Sequence, residues 1–375
     1  MKIGFVLDDS LDKSDGVQQY IVTLSQWYVS QGHEVHFLVG ETKLANRAGG
    51  TIHSLSKNMK VRFNGNRMSM PLPANRKRIK RCLADLQLDV LHVQMPFSPF
   101  MAARVIMAAD KRTAVVATFH IAPYSRLVAL ANRCLAVMDR RAVKRCDRIV
   151  SVSQAAASFA KQGYGIETEV IPNVVDVARF QSVAQDAKPT KKIVFLGRLV
   201  PRKGCQILLQ AIASLKSAGQ LDGWQVDIGG TGPLEPELKK YVAGHGLTDQ
   251  VRFLGFVNED DKPGFLAGAS LAVFPSSGGE SFGIVLIEAM ASQNPVVLAG
   301  DNPGYHSVMG DRPDQLFRPL NVAELADKLQ VFMTDPLAAA DARDWQMAEV
   351  VQYDVAAVGR RLLTVYEQSL QSRRT

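Results

Sequence analysis

Short apolar runs rich in β-branched residues alternate along this chain with stretches whose apolar positions recur at helical spacing. In the first half, the runs at 2–7 (KIGFVL), 34–39 (EVHFLV), 89–94 (DVLHVQ), 114–119 (AVVATF) and 148–152 (RIVSV) predict strands. Amphipathic stretches near 17–31, 75–86, 99–110 and 126–146 predict the helices between them. The rhythm restarts at 193–197 (IVFLG), followed by 225–229 (QVDIG), 251–256 (VRFLGF), 271–275 (LAVFP) and 295–299 (PVVLA). Strands that are apolar almost throughout are covered on both faces, the condition of a parallel sheet between helix layers. The fold class is therefore α/β, with two doubly wound Rossmann-like domains at 1–180 and 181–350. The polar segment 181–192 (QSVAQDAKPTKK), which carries no core pattern, marks the seam. The amphipathic end, 351–375, predicts a closing helix that crosses back towards the first domain. Ligands of such domains lie beyond the carboxyl ends of the strands, so two such edges are expected to face a central cleft.

Composition narrows the classes. A chain of 375 residues exceeds what one core usually serves, and 47% hydrophobic with 21% charged residues is an ordinary globular balance. The four cysteines, Cys82, Cys134, Cys146 and Cys205, form no CxxC pair, which speaks against a disulfide framework or a zinc site. The seven histidines lack paired ligand spacing, so no metal is expected. The first residues, MKIGFVLDDS, read as a buried strand entering an acidic loop and not as a signal peptide. No run approaches the roughly 18 uncharged apolar residues of a spanning helix, so a soluble or peripheral protein is expected.

The net charge of +8 is unevenly shared. Residues 1–180 hold 25 Lys and Arg against 14 Asp and Glu, a net +11, whereas 181–375 hold 19 against 22, a net −3. The first half thus predicts an anionic partner. Its densest stretch, 76–81 (RKRIKR), places Ile79, Cys82, Leu83 and Leu86 on one helical stripe, with Arg76, Lys77, Arg78, Lys80 and Arg81 around it. An interfacial helix drawn to anionic lipid, at about 1 kcal/mol per basic residue, is one reading. An ordinary surface helix is the other. Nucleic acid is not expected, because no aromatic stacking run accompanies the charge.

Candidate chemistry concentrates where strands end. The segment 276–291 (SSGGESFGIVLIEAMA) is a Gly-rich turn leading into a helix expected near Phe282. Backbone N–H groups of Phe282, Gly283 and Ile284 would face phosphate or sugar oxygens there. Glu280 could accept from sugar hydroxyls and Glu288, about two turns inside the helix, from a ribose diol. A turn whose glutamate simply complements the helix dipole is the alternative. After the strand at 193–197, Arg198 and Lys203 of GRLVPRKG would converge on a diphosphate, with Arg202 a bystander; two solvated basic residues are the other reading. In the first loop, Gly16 would let backbone approach a phosphate, and Asp9 would bind a hydroxyl or cap the loop. No G-x-G-x-x-G fingerprint is present there. His120 follows a strand on the ligand-facing side, where it is either functional or structural.

Together these motifs resemble the GT-B glycosyltransferases of family 4, through Glu280-x7-Glu288 and the Arg198…Lys203 pair. The likeness runs from Met1 to about Glu367. Within the family it is similar to the phosphatidylinositol mannosyltransferases, through MKIGFV, GVQ, FNGN, DVLHVQMP, VATFH, IPNVVD, PRKG, FLGFV and GGESFGIVLIEAMA. The resemblance implies metal-free transfer with retention from a nucleotide-activated sugar. The reading is transfer from GDP-mannose to a membrane lipid head group such as phosphatidylinositol, and the basic charge of the first half places the protein peripherally on the cytoplasmic face of the plasma membrane. The resemblance implies that Arg198, Lys203 and the Gly16 backbone hold the diphosphate. Glu288 would bind the ribose, Glu280 with Phe282, Gly283 and Ile284 the sugar, and His120 the sugar's primary hydroxyl. Asp9, Gln18, Asn64 and Arg67 would meet the acceptor. Two departures stand out: Asp15-Gly16 where the family usually reads Gly-Gly, and Asn66-Arg67-Met68-Ser69 where the subfamily's acceptor loop places its arginine differently. Transfer from a UDP-sugar to another lipid or polysaccharide precursor, a sugar-nucleotide epimerase, and a non-catalytic nucleotide-sugar binding protein remain alternatives.

Overall fold

The computed structural model describes residues 1–12, 15–63, 66–95, 97–121, 137–184 and 190–374, with the side chains of 60–70 and 184 outside that description. The chain divides into two compact units, Met1–Val174 with Val355–Thr375, and Val175–Asp354. The division therefore falls at 174/175 and 354/355, and not in the polar segment 181–192. Composition misplaced it because the Val177–Ala184 helix, which runs into that segment, already belongs to the second unit. Its Arg179 donates to Glu259 O and Asp260 Oδ1.

In the first unit, β1 (Lys2–Leu7), β2 (Glu34–Val39), β3 (Asn46–Arg47), β4 (Gly50–Ser54), β7 (Val90–Met95), β8 (Ala114–Phe119), β9 (Arg148–Ser151) and β10 (Glu169–Val170) form one sheet. Its order is β10-β9-β8-β7-β1-β2-β4-β3, parallel except for the β3/β4 pair. The apolar runs end up sealed, since Ile3, Phe5, Phe37, Val90 and Val116 are wholly inaccessible. An antiparallel hairpin, β5 (Asn58–Phe63) with β6 (Asn66–Pro71), was not predicted, because its strands lack an apolar run. The predicted helix at 126–146 lies largely outside the described residues, and its described end is the helix Arg140–Arg145. The last helix, Val355–Arg374, is part of this unit. Tyr366 is buried against His92, and Gly359 sits where a Cβ would lie 2.5 Å from the Trp27 ring.

The second unit is a six-stranded parallel sheet of β11 (Thr190–Leu196), β12 (Gln225–Gly229), β13 (Val251–Gly255), β14 (Ala269–Phe274), β15 (Val296–Gly300) and β16 (Leu316–Phe317). The order β13-β12-β11-β14-β15-β16 reverses between β11 and β14. Loops leaving two adjacent strands to opposite sides open a crevice at such a reversal. Both basic and acidic motifs of this half follow those two strands.

Candidate active site

The loop after β11 closes into a single 3-10 turn, Pro201–Lys203, before the helix Cys205–Ser217. Proline at the start of that turn presets its φ, and the turn brings Arg202 and Lys203 to the same carboxylate. Lys203 Nζ lies 2.9 Å and Arg202 Nη1 2.7 Å from Glu280 Oε1, and Ser276 Oγ donates to the same oxygen at 2.7 Å. Arg202 is thus no bystander. The backbones are joined as well, for Ser277 N donates to Arg202 O at 2.8 Å.

The charges are unequal: Arg202 and Lys203 share the one Glu280 carboxylate, and Arg198 lies within electrostatic reach of Lys203. Burial alone would raise the Glu280 pKa, but Lys203 and Arg202 outweigh it and hold the carboxyl below its ordinary range. Burial lowers Lys203; Glu280 works the other way, while Arg202 and Arg198 add to the lowering, and the ammonium also lies below its usual value. The two shifts differ in cause: burial dominates at Lys203, and the neighbouring cations outweigh it at Glu280. Such a cluster can receive a diphosphate.

The helix expected near Phe282 begins at Ile284, so Glu288 lies little more than one turn inside it. Its N-cap, Gly283, has φ +109°, and a Cβ there would lie 2.6 Å from the Tyr305 ring; only glycine fits. Phe282 turns inward, buried and edge-on to Tyr353 at 5.5 Å, so its backbone alone can serve a ligand. Glu288 does not join the Glu280 cluster. Its Oε1 meets Lys262 Nζ at 3.1 Å, and Lys262 also pairs with Glu259 at 2.9 Å. Burial raises the Glu288 carboxyl, Lys262 counters it, and the net shift is upward.

In the first unit the central residue is His120, buried at the exit of β8. Its Nε2 lies 2.7 Å from Gln94 Oε1 at the end of the neighbouring β7, and Tyr20 packs edge-on at 5.0 Å. Gln94 Nε2 in turn donates to His92 O, so the amide oxygen accepts and His120 Nε2 carries the proton. That leaves Nδ1 as a hydrogen-bond acceptor. Burial lowers the His120 pKa to about 3, and the ring is neutral at physiological pH. Its NMR signals are expected to keep neutral-imidazole shifts from pH 8 down to pH 5; a transition near the ordinary histidine value would overturn this assignment.

Around it, Asp8 accepts from the backbone N–H groups of Ser98 and Ala102, and so caps the Ala102–Ala108 helix. Asp9 accepts from Ser10 N at 2.7 Å, the loop-capping alternative. Gln18 is buried in the Gly16–Ser30 helix, its Nε2 3.4 Å from Ser10 O. Gly16 opens that helix and is exposed; Asp15 is its N-cap but makes no side-chain cap bond. Asn64 lies outside the described residues. Arg67 is placed by its backbone opposite Arg62 in the hairpin, its side chain outside that description. In the Arg76–Leu86 helix, Asn75 supplies the N-cap, Ile79 is fully buried, and Arg76, Lys77, Arg78, Lys80 and Arg81 are exposed. Arg78 Nη2 donates to Ser54 O at 2.6 Å.

Family models match both halves: Glycosyltransferase Family 4 over residues 14–179 and Glycosyl transferases group 1 over 178–347. A phosphatidyl-myo-inositol mannosyltransferase of Mycolicibacterium smegmatis is 30% identical over 374 residues, 98% of this chain and 94% of that protein. One of Mycobacterium leprae is 29% identical over 374 residues, 98% of this chain and 96% of the relative. The chain belongs to glycosyltransferase family 4.

This glycosyltransferase also shares its fold with a solved glycosyltransferase from Rickettsia africae, at a TM-score of 0.77 and 16% identity over 98% of each chain. The fold is GT-B. Of the residues the sequence singled out, Lys203 and Glu280 meet directly, with Arg198 within electrostatic reach of Lys203. Glu288 stands apart with Lys262, a residue the sequence reading missed. In the sequence Arg202 reads as a bystander, and Gln94 carries no signal beyond its place in DVLHVQMP. Only the pairing Gln94↔Thr118 across β7 and β8 puts that amide beside His120.

Proposed function

We propose that this glycosyltransferase transfers mannose from GDP-mannose, with retention, to a membrane lipid head group such as phosphatidylinositol. The observation that carries the reading is the near-full-length relationship to phosphatidyl-myo-inositol mannosyltransferases. The cation-rich cluster at the β11/β14 reversal supports it chemically. Negative charge that develops on a leaving diphosphate is stabilised by preplaced donors, which count for more in the transition state than in the ground state. Lys203, Arg198 and Arg202 supply those donors, with Gly16 backbone assisting. Glu280 and the backbone of Phe282, Gly283 and Ile284 hold the sugar, Glu288 the ribose, and His120 Nδ1 accepts from the sugar's primary hydroxyl. Asp9, Gln18, Asn64 and Arg67 are assigned to the acceptor. No metal takes part; the leaving phosphate helps to deprotonate the acceptor on the same face of the sugar.

The deciding test is calorimetric titration with GDP, UDP and ADP in metal-free buffer, followed by transfer of labelled mannose to phosphatidylinositol vesicles. Selective binding of GDP with labelled lipid supports the proposal. Preference for UDP overturns the donor assignment and points to a UDP-sugar enzyme.

Membrane attachment is part of the same reading. Among the described residues no helix is long and apolar enough to cross a bilayer. The exposed basic residues of the Arg76–Leu86 helix would hold the protein peripherally on the cytoplasmic leaflet, against anionic lipid. Replacing Arg76, Lys77, Arg78, Lys80 and Arg81 with glutamine is expected to weaken binding to anionic vesicles at least about a hundredfold and to flatten its salt dependence. Cosedimentation across a salt series measures both, and unchanged binding removes the helix from this role.

A further inference from the structure

A cavity of about 410 Å³ opens between β4 and the Arg76–Leu86 helix in the first unit. None of the residues assigned above to donor or acceptor lines it. Its helix side presents two guanidinium groups, Arg78 and Arg81, and one carboxylate, Asp85. Among the described residues no carboxylate lies within ion-pair distance of either arginine, so this wall carries one uncompensated positive charge. Ile52, Leu55 and Leu86 add apolar lining.

The strand side adds an imidazole. His53 lines the cavity, and its Nε2 lies 3.2 Å from His36 Nδ1, whose Nε2 lies 2.9 Å from Glu34 Oε1. The Glu34 carboxylate accepts, so His36 Nε2 carries a proton. His36 Nδ1 faces His53 Nε2, so Nδ1 is the ring nitrogen of His53 not engaged in that contact. The Arg81 guanidinium, and the donors of Arg78 not given to Ser54 O, suit phosphate oxygens. Asp85 and His53 suit hydroxyl groups.

We propose that this cavity binds the phosphate ester of a small polyol, the chemistry shared by an anionic phospholipid head group and a free glycerol phosphate. The lipid source rests on the membrane reading of the basic helix; the chemistry of the cavity does not. Its occupancy would add head-group selectivity to an attraction that charge alone leaves indiscriminate.

Cys82 gives the measurement, because it lines the same cavity and is half-buried. In the full chain, alkylation of Cys82 is followed by peptide mass spectrometry with glycerol phosphate or glycerophosphoglycerol present, and with glycerol alone as control. Both phosphates are expected to slow alkylation at least fivefold and glycerol not at all. Arg81→Gln should weaken that protection about tenfold or more, as loss of a charged hydrogen bond implies. An unchanged alkylation rate at saturating phosphate ester overturns the proposal.

Vesicles separate the sources. Stronger protection by phosphatidylglycerol than by phosphatidylserine at equal surface charge assigns the site to a lipid head group. Protection by the soluble esters alone assigns it to a free polyol phosphate. Equal protection by both lipids with none from the soluble esters shows only a helix lying on a surface, and the cavity site falls. Lys77→Gln with Lys80→Gln, neither of which lines the cavity, should reduce vesicle binding and leave protection by glycerol phosphate intact. A failure of the membrane reading is thereby told apart from a failure of the cavity.

Discussion

Lys203→Ala is expected to lower kcat by about two to three orders of magnitude while the protein stays folded. Loss of one preplaced donor to a developing oxyanion costs about that much in other buried sites. Here the ammonium lies among Arg198 and Arg202, and its charge is answered by a single carboxylate, Glu280. Removing it leaves Glu280 paired with Arg202 and hydrogen-bonded to Ser276, so no carboxylate is stranded. The stability loss should therefore stay near 1–3 kcal/mol. Turnover of donor in the presence of acceptor measures the first effect and thermal unfolding the second. Near-normal turnover by a folded variant would remove Lys203 from the diphosphate clamp.

Gly204→Ala should damage the second unit more than any charge substitution in it. Gly204 has φ +74°, a region that costs an L-residue about 1–2 kcal/mol. A Cβ there would also lie 2.0 Å from the carbonyl oxygen of Pro275, which is backbone and cannot swing aside. Either the β11 loop or the β14 loop has to move, and these two loops carry Lys203 and Glu280. A loss of about 3–5 kcal/mol is expected, together with loss of activity. The urea midpoint followed by tryptophan fluorescence tests it, since Trp224 and Trp345 both lie in the second unit. An unchanged midpoint would mean that the close approach of the two loops is not maintained in solution.

These two substitutions mark different limits of reading a sequence. Lys203 was legible because it follows a strand in a short basic loop, and loops at the carboxyl ends of parallel strands face ligands. Gly204 was not legible as a contact, because its restriction comes from a carbonyl some seventy residues away.

The chain's pattern alone determined the α/β class, the two sheets and most of their strands. Runs such as FVL, AVVATF and VVLA can hide their apolar faces only between helix layers, whatever their neighbours. It also determined the family, since Glu280, Glu288, Arg198 and Lys203 keep their spacing in the chain. Tertiary structure decided how those residues are shared out. Glu280 and Glu288 are eight apart, yet one is held by Arg202 and Lys203 and the other by Lys262, because a helix start separates them and turns them to different partners. Helix packing likewise placed the unit boundary at 174/175, where composition saw it in the polar segment beyond. His120 shows the same division. Its place at a strand end was readable, but its neutral state comes from burial among Gln94, Tyr20 and its own sheet. Local pattern fixes what a segment must hide from water; which charge meets which depends on distant segments arriving at one place, and only the folded chain brings them there.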